Sequence, residues 1–242
     1  NFSGPYWQAD KEKIQALVRN GYQGADLHYK AAQEADRDPR VASERNAERA
    51  REARRDRLTA QAATLPPARP HDLYDLWRRS FVRVEAQGRS IEAVDLRVFS
   101  EVRRDLSVRI PPGTCFVAAG AHQNMAARAE VRFLLRALGG ENVGVEATCI
   151  NAARPVPESR DGFSRVEMVT GDLARFLAAA AGRDPMTVQA GAWAISDGYT
   201  AAQAQARLQR AGRDGRREAA ITDAHVAEAR AILEEIGVAT PL

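Results

Sequence analysis

Residues 106–120, LSVRIPPGTCFVAAG, decide the fold class, because two short apolar segments lie on either side of a Pro-Pro-Gly turn. The first segment, LSVRI at 106–110, alternates apolar and polar residues, which is typical of a strand with one buried face. The second segment, TCFVAAG at 114–120, is almost continuously apolar, as expected for a buried strand. The prolines and the glycine between them favour a turn. This stretch therefore predicts two consecutive β-strands.

The same pattern of strands and turns continues on both sides, from about residue 91 to residue 169. SIEAVDLRVF at 90–99 has strand character, and two further apolar segments, EVRFLLRAL and GVEATCINA, flank the turn signal GGEN. Several short strands joined by Gly, Pro and Asn turns are typical of a β-sandwich or a small barrel. We expect an antiparallel β-sandwich.

From residue 170 onward the apolar residues recur with a helical period. Four segments show this pattern, with Thr at the start or Gly at the end of most of them: TGDLARFLAAAAG, MTVQAGAWAIS, TAAQAQARLQRAG and TDAHVAEARAILEEIG. The third helix is expected to begin at Thr200 and to stop at Gly212. Strands followed by helices predict an α+β protein, in which the C-terminal helices close one side or end of the sandwich.

The N-terminal part of the chain has a different composition. Residues 1–30 are expected to form an N-terminal helical arm, because ADKEKIQALVRNGYQG has a capping Asp10 and one apolar face. Residues 31–70 are expected to form a charged helical or disordered linker, since SERNAERAREARRDRLTAQAAT contains almost no large apolar residue. Residues 71–242 then form the β-sandwich with its C-terminal helices.

Charge and hydropathy narrow the choice of partner. The chain has 35 Lys and Arg residues against 32 Asp and Glu, a net charge of +3, and the two signs are interleaved. In the arginine-rich segment at 40–57, no aromatic residue offers a stacking platform for nucleic acid bases. No apolar run approaches the roughly 20 residues of a membrane helix, and the N-terminus lacks the basic start and apolar core of an intact signal peptide. We therefore expect neither nucleic-acid binding nor membrane insertion.

Cys115 and Cys149 are the two cysteines of the chain. They form no CxxC pair, and the chain has four histidines without an HxxxH pair, so we expect no metal site and no cofactor. Both cysteines lie in predicted strands. Two interpretations remain open: two separate buried thiols, or a disulfide that joins neighbouring strands.

The helical segment at 186–196 contains VQAGAW, in which Gln189 precedes Trp193 by four residues, so that both side chains lie near one face. In a structural interpretation, the helix docks on the sheet and Gln189 bonds a backbone group at its edge. A buried amide needs hydrogen-bond partners, and the edge of a sheet offers them. In this interpretation Gln189 has no chemical role.

VQAGAW, with AISDG behind it, resembles the glutamine motif of the thioester domains of bacterial surface proteins. TCIN at 148–151, with RPVP behind it, is similar to the cysteine strand of that family. In the family, the cysteine sulfur and the glutamine side-chain carbonyl close an internal thioester, which an amine on a target then attacks. The resemblance implies that Cys149 and Gln189 are the reacting pair. They must then be in contact across the junction of sheet and helix.

We therefore expect a non-enzymatic binding or adhesion module, secreted or at the cell surface, whose partner is a protein or an amine-bearing surface ligand. Its expected binding residues are Cys149, Gln189, Trp193 and His122, and no catalytic residue is assigned. Two other hypotheses stay open. GAHQNMAAR at 120–128 is a polar cluster, so a cytoplasmic hydrolase with a site near His122 and Gln189 is one alternative. A structural scaffold that binds a partner through the long charged helix is the other.

Overall fold

A computed structural model of the chain describes residues 39–67, 69–211 and 216–242, together with Gln15 and Arg19. The predicted N-terminal arm lies outside the described residues, apart from Gln15 and Arg19, which are both helical. The chain divides into two compact units, residues 1–57 and residues 58–242. Within the described residues, no helix is both long enough and apolar enough to cross a membrane.

The described residues contain helices at both ends of a strand-rich region. The helices are α1 (Pro39–Ala62), α2 (Leu73–Arg78), α3 (Gly171–Ala179), α4 (Pro185–Asp197), α5 (Ala201–Arg207) and α6 (Asp223–Glu235). The strands are β1 (His71–Asp72), β2 (Val82–Ser90), β3 (Ala93–Ser100), β4 (Leu106–Ile110), β5 (Thr114–Ala118), β6 (Asn124–Ala127), β7 (Val131–Leu135), β8 (Gly140–Ile150), β9 (Gly162–Met168), β10 (Gln209–Ala211) and β11 (Arg217–Ala219).

The charged segment that was expected to be helical or disordered is helical through α1. Residues 43–57 of this helix are exposed, as the lack of large apolar residues predicts. In the last turn of α1, which belongs to the unit 58–242, Leu58 and Ala62 are buried. The domain boundaries expected at residues 30 and 70 stay predictions.

Six strands form a closed barrel in the order β2-β3-β8-β6-β5-β9, and all neighbouring pairs are antiparallel. The predicted α+β class is confirmed, but the sheet is a barrel rather than the expected sandwich. Pairing of β2 with β9, which sets Ala86 opposite Phe163, closes the sheet on itself. Closure removes the exposed sheet edges that a sandwich would leave. Short alternating strands are compatible with both architectures, so the sequence pattern does not distinguish them.

The two strands of residues 106–120 belong to different sheets. Strand β4 lies in a three-stranded sheet with β1 and β7, whereas β5 lies in the barrel. The turn between them is closed by Thr114, whose hydroxyl donates to the carbonyl of Pro111 at 2.8 Å. Gly113 has a φ of 87°, a left-handed conformation that favours glycine. The Pro-Pro-Gly turn therefore carries the chain from one sheet to the other and does not form a hairpin.

Alternating residues of the strands supply the core of the unit 58–242. In β3 these are Val94, Leu96 and Val98, and in β8 the buried set ends with Ala147 and Cys149. Burial of such side chains is the main stabilising contribution to the barrel. Because β8 continues past its pairing with β3, its last residues meet helix α4 as well as β6.

Helix α4 is the central helix of the C-terminal part and packs against β8, α3 and α6. It is buried continuously over residues 187–194. Its N-terminus is capped by Asp184, whose carboxylate accepts from the Met186 amide at 2.8 Å. Gly191 faces Phe176 of α3, and a Cβ atom at Gly191 would lie 2.1 Å from the ring atom Cζ. Glycine at this position therefore lets α3 and α4 approach closely.

Helix α5 ends earlier than the sequence predicts. Its first residue is Ala201, and Thr200 forms the predicted cap together with Gln203, but the helix ends at Arg207 instead of reaching Gly212. The following residues form β10, which pairs with β11 in a two-stranded sheet. Pairing of the two strands satisfies main-chain groups that a longer helix would otherwise satisfy, and tertiary pairing outweighs the helical propensity of the segment.

The unit 58–242 contains arginines but no lysine, because the three lysines of the chain, Lys11, Lys13 and Lys30, all precede residue 31. Arg165 pairs with Glu167 at 2.6 Å, and Arg136 pairs with Asp105 at 2.7 Å. A main-chain amide hydrogen bond from Ala137 and the Arg136 guanidinium lower the pKa of Asp105. These pairs are exposed to solvent, so each contributes little to the free energy of unfolding.

Candidate functional site

The carboxamide of Gln189 closes the open edge of β8 at Cys149. Strand β3 pairs with β8 as far as Glu146, and the last main-chain bond on this edge joins the Ala147 amide to the Glu92 carbonyl at 2.8 Å. Two residues further on, the Cys149 amide donates to Gln189 Oε1 at 3.0 Å, and Gln189 Nε2 donates to the Cys149 carbonyl at 2.8 Å. The side chain of Gln189 thus provides both hydrogen bonds that a neighbouring strand would provide.

A second donor holds the same oxygen of Gln189. The hydroxyl of Thr148 donates to Gln189 Oε1 at 2.9 Å. Thr148 and Gln189 are both buried, each 1% exposed, so water does not compete for these bonds. Two donors on one carbonyl oxygen draw electron density from the carboxamide carbon, as donors do when they stabilise a developing oxyanion.

The thiol of Cys149, whose main chain holds this carboxamide, is fully buried. Its Sγ lies 3.7 Å from the carbonyl oxygen of Ile91, to which it donates. Burial raises the pKa of the Cys149 thiol to about 12, and the positive charge of Arg207 acts in the opposite direction. Cys115 is buried too, and neither cysteine is in a disulfide. The sequence left two interpretations open, and the structure agrees with the first of them: two separate buried thiols.

Trp193, one turn after Gln189, is joined to the site through Gln123. Trp193 Nε1 donates to Gln123 Oε1 at 3.2 Å, and Gln123 Nε2 donates to the carbonyl of Arg154 at 2.9 Å. The main-chain amide of Gln123 donates to the carbonyl of Pro155 at 2.9 Å. Gln123 therefore connects the buried helix α4 to residues 151–157, which follow Cys149 and which we call the post-cysteine loop.

Arg207, the last residue of α5, holds the post-cysteine loop from another side. Its Nε donates to the carbonyl of Ala152 at 3.0 Å, and its Nη2 donates to the carbonyl of Arg154 at 2.7 Å. The loop begins at Asn151, whose φ of 69° turns the chain out of β8. Hydrogen bonds to a charged donor are stronger than those between neutral groups, so Arg207 is a firm attachment for this loop.

His122, the fourth predicted binding residue, packs against Phe163. Its ring lies edge-on to Phe163, with 5.2 Å between the ring centroids. The side chain is buried, and its Nε2 has no hydrogen-bond partner among the described residues. Its neighbours Gln123 and Asn124 bond the backbone: Asn124 Oδ1 accepts from the Ala118 amide at 2.9 Å. The polar cluster that suggested a hydrolase pocket therefore serves largely to connect loops and strands.

The structure brings two of the four predicted binding residues, Cys149 and Gln189, into direct contact. Trp193 is connected through Gln123 to the post-cysteine loop, and His122 faces Phe163. No sequence pattern indicated that Arg207 holds the post-cysteine loop. The residue lies 55 positions from Ala152 along the chain, and its helix was expected to continue past it.

In the parts of the chain that the structure describes, no group of three His, Cys, Asp or Glu side chains is arranged to hold a metal ion. A search for known proteins found no matching family model, no matching curated protein and no matching solved structure. The function therefore has to be inferred from the chemistry of the residues themselves. They define a barrel protein in which a helix presents a buried glutamine to a cysteine at the edge of a strand.

Proposed function

We propose that this protein is a non-enzymatic binding or adhesion module of the thioester-domain kind, in which Cys149 and Gln189 form an internal thioester. The supporting observation is the double contact of the Gln189 carboxamide with the main chain of Cys149, at 3.0 and 2.8 Å. It fixes the carboxamide beside the residue that carries the thiol. Proximity and orientation of this kind are the main requirement for a reaction between two side chains.

The reaction needs no group from outside the protein. The sulfur of Cys149 attacks Cδ of Gln189, the bond from Cδ to Nε2 breaks, and Nε2 leaves as ammonia with the proton of the thiol. Donors at Oε1, the Cys149 amide and the Thr148 hydroxyl, stabilise the negative charge that develops on this oxygen. An amine of the partner then attacks Cδ. The partner becomes linked through an amide bond, and the thiol of Cys149 is restored.

Burial protects such a bond until a partner arrives. Cys149 is 0% exposed and Gln189 is 1% exposed, so water has little access to an acyl group at Gln189. The post-cysteine loop begins two residues after Cys149, and Gln123 and Arg207 hold it in place. Movement of this loop is then the step that admits an amine. A secreted or cell-surface location suits a module that captures an amine-bearing ligand.

The accurate mass of the intact protein tests this proposal. Closure of the thioester removes ammonia, so we expect a mass about 17 Da below that of the sequence. Methylamine should open the thioester by forming an amide at Gln189 and bring the mass to about 14 Da above that of the sequence. The variant Cys115→Ala keeps the deficit and serves as a matched control, whereas Cys149→Ala and Gln189→Ala lose it. A purified protein with the full sequence mass and two titratable thiols under denaturing conditions would refute the proposal.

A scaffold function is a second candidate, supported by the exposure of residues 43–57 of α1. A long exposed helix that lacks an apolar stripe can bind a partner through its charges. Removal of residues 1–57 tests it, because the cut leaves the buried Leu58 and Ala62 in place. If the protein is a scaffold, we expect the truncated protein to keep its melting temperature and to lose binding of its partner. Retained binding of the partner would contradict this candidate.

A further inference from the structure

Strand β7 lies at the edge of the three-stranded sheet. Among the described residues it pairs with β4 alone, and β4 separates it from β1. In an antiparallel pair, the main-chain groups of alternate residues point away from the neighbouring strand. On this outer side of β7, the main chain makes no hydrogen bond with any described residue. An edge of this kind is a template on which a further strand can pair.

The same edge carries exposed apolar side chains. Leu134, which is 48% exposed, and Leu138, which is 41% exposed, are the large apolar side chains that the described residues leave most open to solvent. Leu134 belongs to β7, and Leu138 follows the strand by three residues. Apolar exposure that falls in one short segment, next to an unpaired strand edge, is typical of a surface that binds another protein.

The segment 130–136, EVRFLLR, is complementary in charge to a second copy of itself. When two such strands pair antiparallel about a two-fold axis at Phe133, residues equally far from Phe133 on its two sides lie opposite each other. Glu130 of each copy then lies opposite Arg136 of the other. Self-pairing therefore places one ion pair of opposite charges at each end of the contact.

The side chains between these two ends match as well. Val131, Phe133 and Leu135 share the face of β7 that packs on the core, because they lie beside the buried residues of β4. On this face, self-pairing sets Val131 of one copy opposite Leu135 of the other. On the opposite face it sets Arg132 opposite Leu134, and the aliphatic part of an arginine can cover an apolar side chain. No two like charges are opposite each other.

Glu130 and Arg136 also have partners within their own copy. Arg132 pairs with Glu130 at 2.6 Å, and Asp105 pairs with Arg136 at 2.7 Å. All four residues are exposed, so these pairs contribute little to the free energy of unfolding. The charges at both ends are therefore available to a second copy.

We propose that β7 is a dimerisation edge, at which two copies of the chain pair antiparallel about a two-fold axis at Phe133 and share one continuous sheet. The occupant is a second copy because both the charges and the apolar side chains of 130–136 are self-complementary, as a two-fold interface requires. The proposal goes beyond the proposed function and does not depend on it, since neither Cys149 nor Gln189 belongs to this edge.

Sedimentation velocity of the full chain at concentrations from about 1 to 200 μM tests the proposal. We expect a reversible equilibrium between monomer and dimer. Arg136→Glu sets two carboxylates opposite each other at both ends of the contact, and Glu130→Arg sets two guanidinium groups there. Each variant should therefore dimerise at least about tenfold more weakly than the wild type. Hydrogen exchange of residues 131–135 in the wild type should become slower as the concentration rises.

An equimolar mixture of these two variants is the decisive sample. It sets opposite charges against each other at both ends again, so heterodimers should form within about threefold of the affinity of the wild type. Arg97→Glu changes an exposed arginine of β3 and is the matched control, which should dimerise like the wild type. Cys149→Ala should dimerise normally too, so that a failure of the thioester and a failure of the dimer are read separately.

Several outcomes would overturn the dimerisation edge. These are a monomer at every concentration, a dimer that neither charge variant weakens, an equal loss in the control, or a mixture that associates no better than its components. Slower exchange of residues 131–135 only after addition of another protein would assign the edge to a different occupant and overturn the self-pairing. If the melting temperature shows that a charge variant is unfolded, the exposed Leu134→Arg replaces it; this change sets an arginine opposite Arg132, so the dimer should again weaken.

Discussion

Gln189 and Cys149 are bound to each other as two strands of a sheet are bound, through one donated and one accepted main-chain hydrogen bond. This is the structural interpretation of Gln189, a side chain that pairs the backbone at a sheet edge. The reaction that the resemblance to thioester domains implies needs a further contact, between the sulfur of Cys149 and the carboxamide carbon of Gln189. The bonds that stabilise the edge of β8 hold this carboxamide at the main chain of the same cysteine.

Replacement of Gln189 by methionine should destabilise the protein strongly. Met fills a similar volume but leaves the Cys149 amide, the Cys149 carbonyl and the Thr148 hydroxyl without their buried partner. We expect the free energy of unfolding to fall by about 3 kcal/mol or more, measured by urea denaturation. The exposed Gln87→Met is the control and should change it by less than about 0.5 kcal/mol. Equal effects of both variants would show that the edge contact adds no stability.

Cys115 should make the protein less stable in alkaline solution. Burial raises the pKa of its thiol from 9.0 to about 12, so the folded state keeps a proton that the unfolded state loses above pH 9.0. The unfolded state then binds fewer protons, and the free energy of unfolding falls between pH 9.0 and about 12 by roughly 1.4 kcal/mol per pH unit from this group. Urea denaturation at several pH values should show a shallower fall for Cys115→Ala. Identical slopes for the two proteins would contradict the buried thiol.

Removal of the Arg207 guanidinium should loosen the post-cysteine loop. Arg207→Met loses the two bonds to Ala152 and Arg154, so the loop opens at a lower cost. A loss of about 1.4 kcal/mol makes hydrogen exchange of amides in residues 151–157 about tenfold faster, measured by mass spectrometry. Arg210→Met, which removes an equal charge from a neighbouring exposed position, should leave this exchange unchanged. Faster exchange in both variants would mean that net charge, and not the two bonds, controls the loop.

The approach of α3 and α4 at Gly191 should be sensitive to a single methyl group. Gly191→Ala places Cβ 2.1 Å from Cζ of Phe176, a fully buried side chain that cannot move away freely. We expect a loss of about 1–3 kcal/mol in the free energy of unfolding. Phe176→Leu makes room for this methyl group, so the double variant should lose less than the two single losses added together. Simple additivity would show that the two residues do not meet.

The sequence predicted those features that depend on local patterns. Thr222 caps α6, and Val226, Ile232 and Leu233 are buried as their helical spacing indicates. Pairing between distant strands cannot be predicted from local patterns: LSVRI and TCFVAAG would each have the same pattern whether they share a sheet or, as here, do not. Closure of the barrel depends on the pairing of β2 with β9, which are far apart in the sequence. No local sequence pattern predicts this pairing.

The candidate site was predictable to the extent that short motifs describe it. TCIN and VQAGAW indicated Cys149 and Gln189, which are in contact in the structure. Thr148 and Gln123 contribute through hydrogen bonds that depend on three-dimensional placement, and a common residue type gives no signal of such a bond. His122 stood out as a rare residue in a polar cluster, but rarity does not indicate position, and its ring faces Phe163.

Arginine in place of lysine on the unit 58–242 has a consequence for any acyl electrophile formed there. A guanidinium stays protonated at physiological pH and does not act as an amine nucleophile, whereas a lysine side chain can. The folded unit therefore supplies no lysine amine that could quench an activated Gln189 from within or crosslink one copy to the same unit of another. An acyl electrophile at Gln189 would therefore stay unreacted until an amine from outside the unit reaches it.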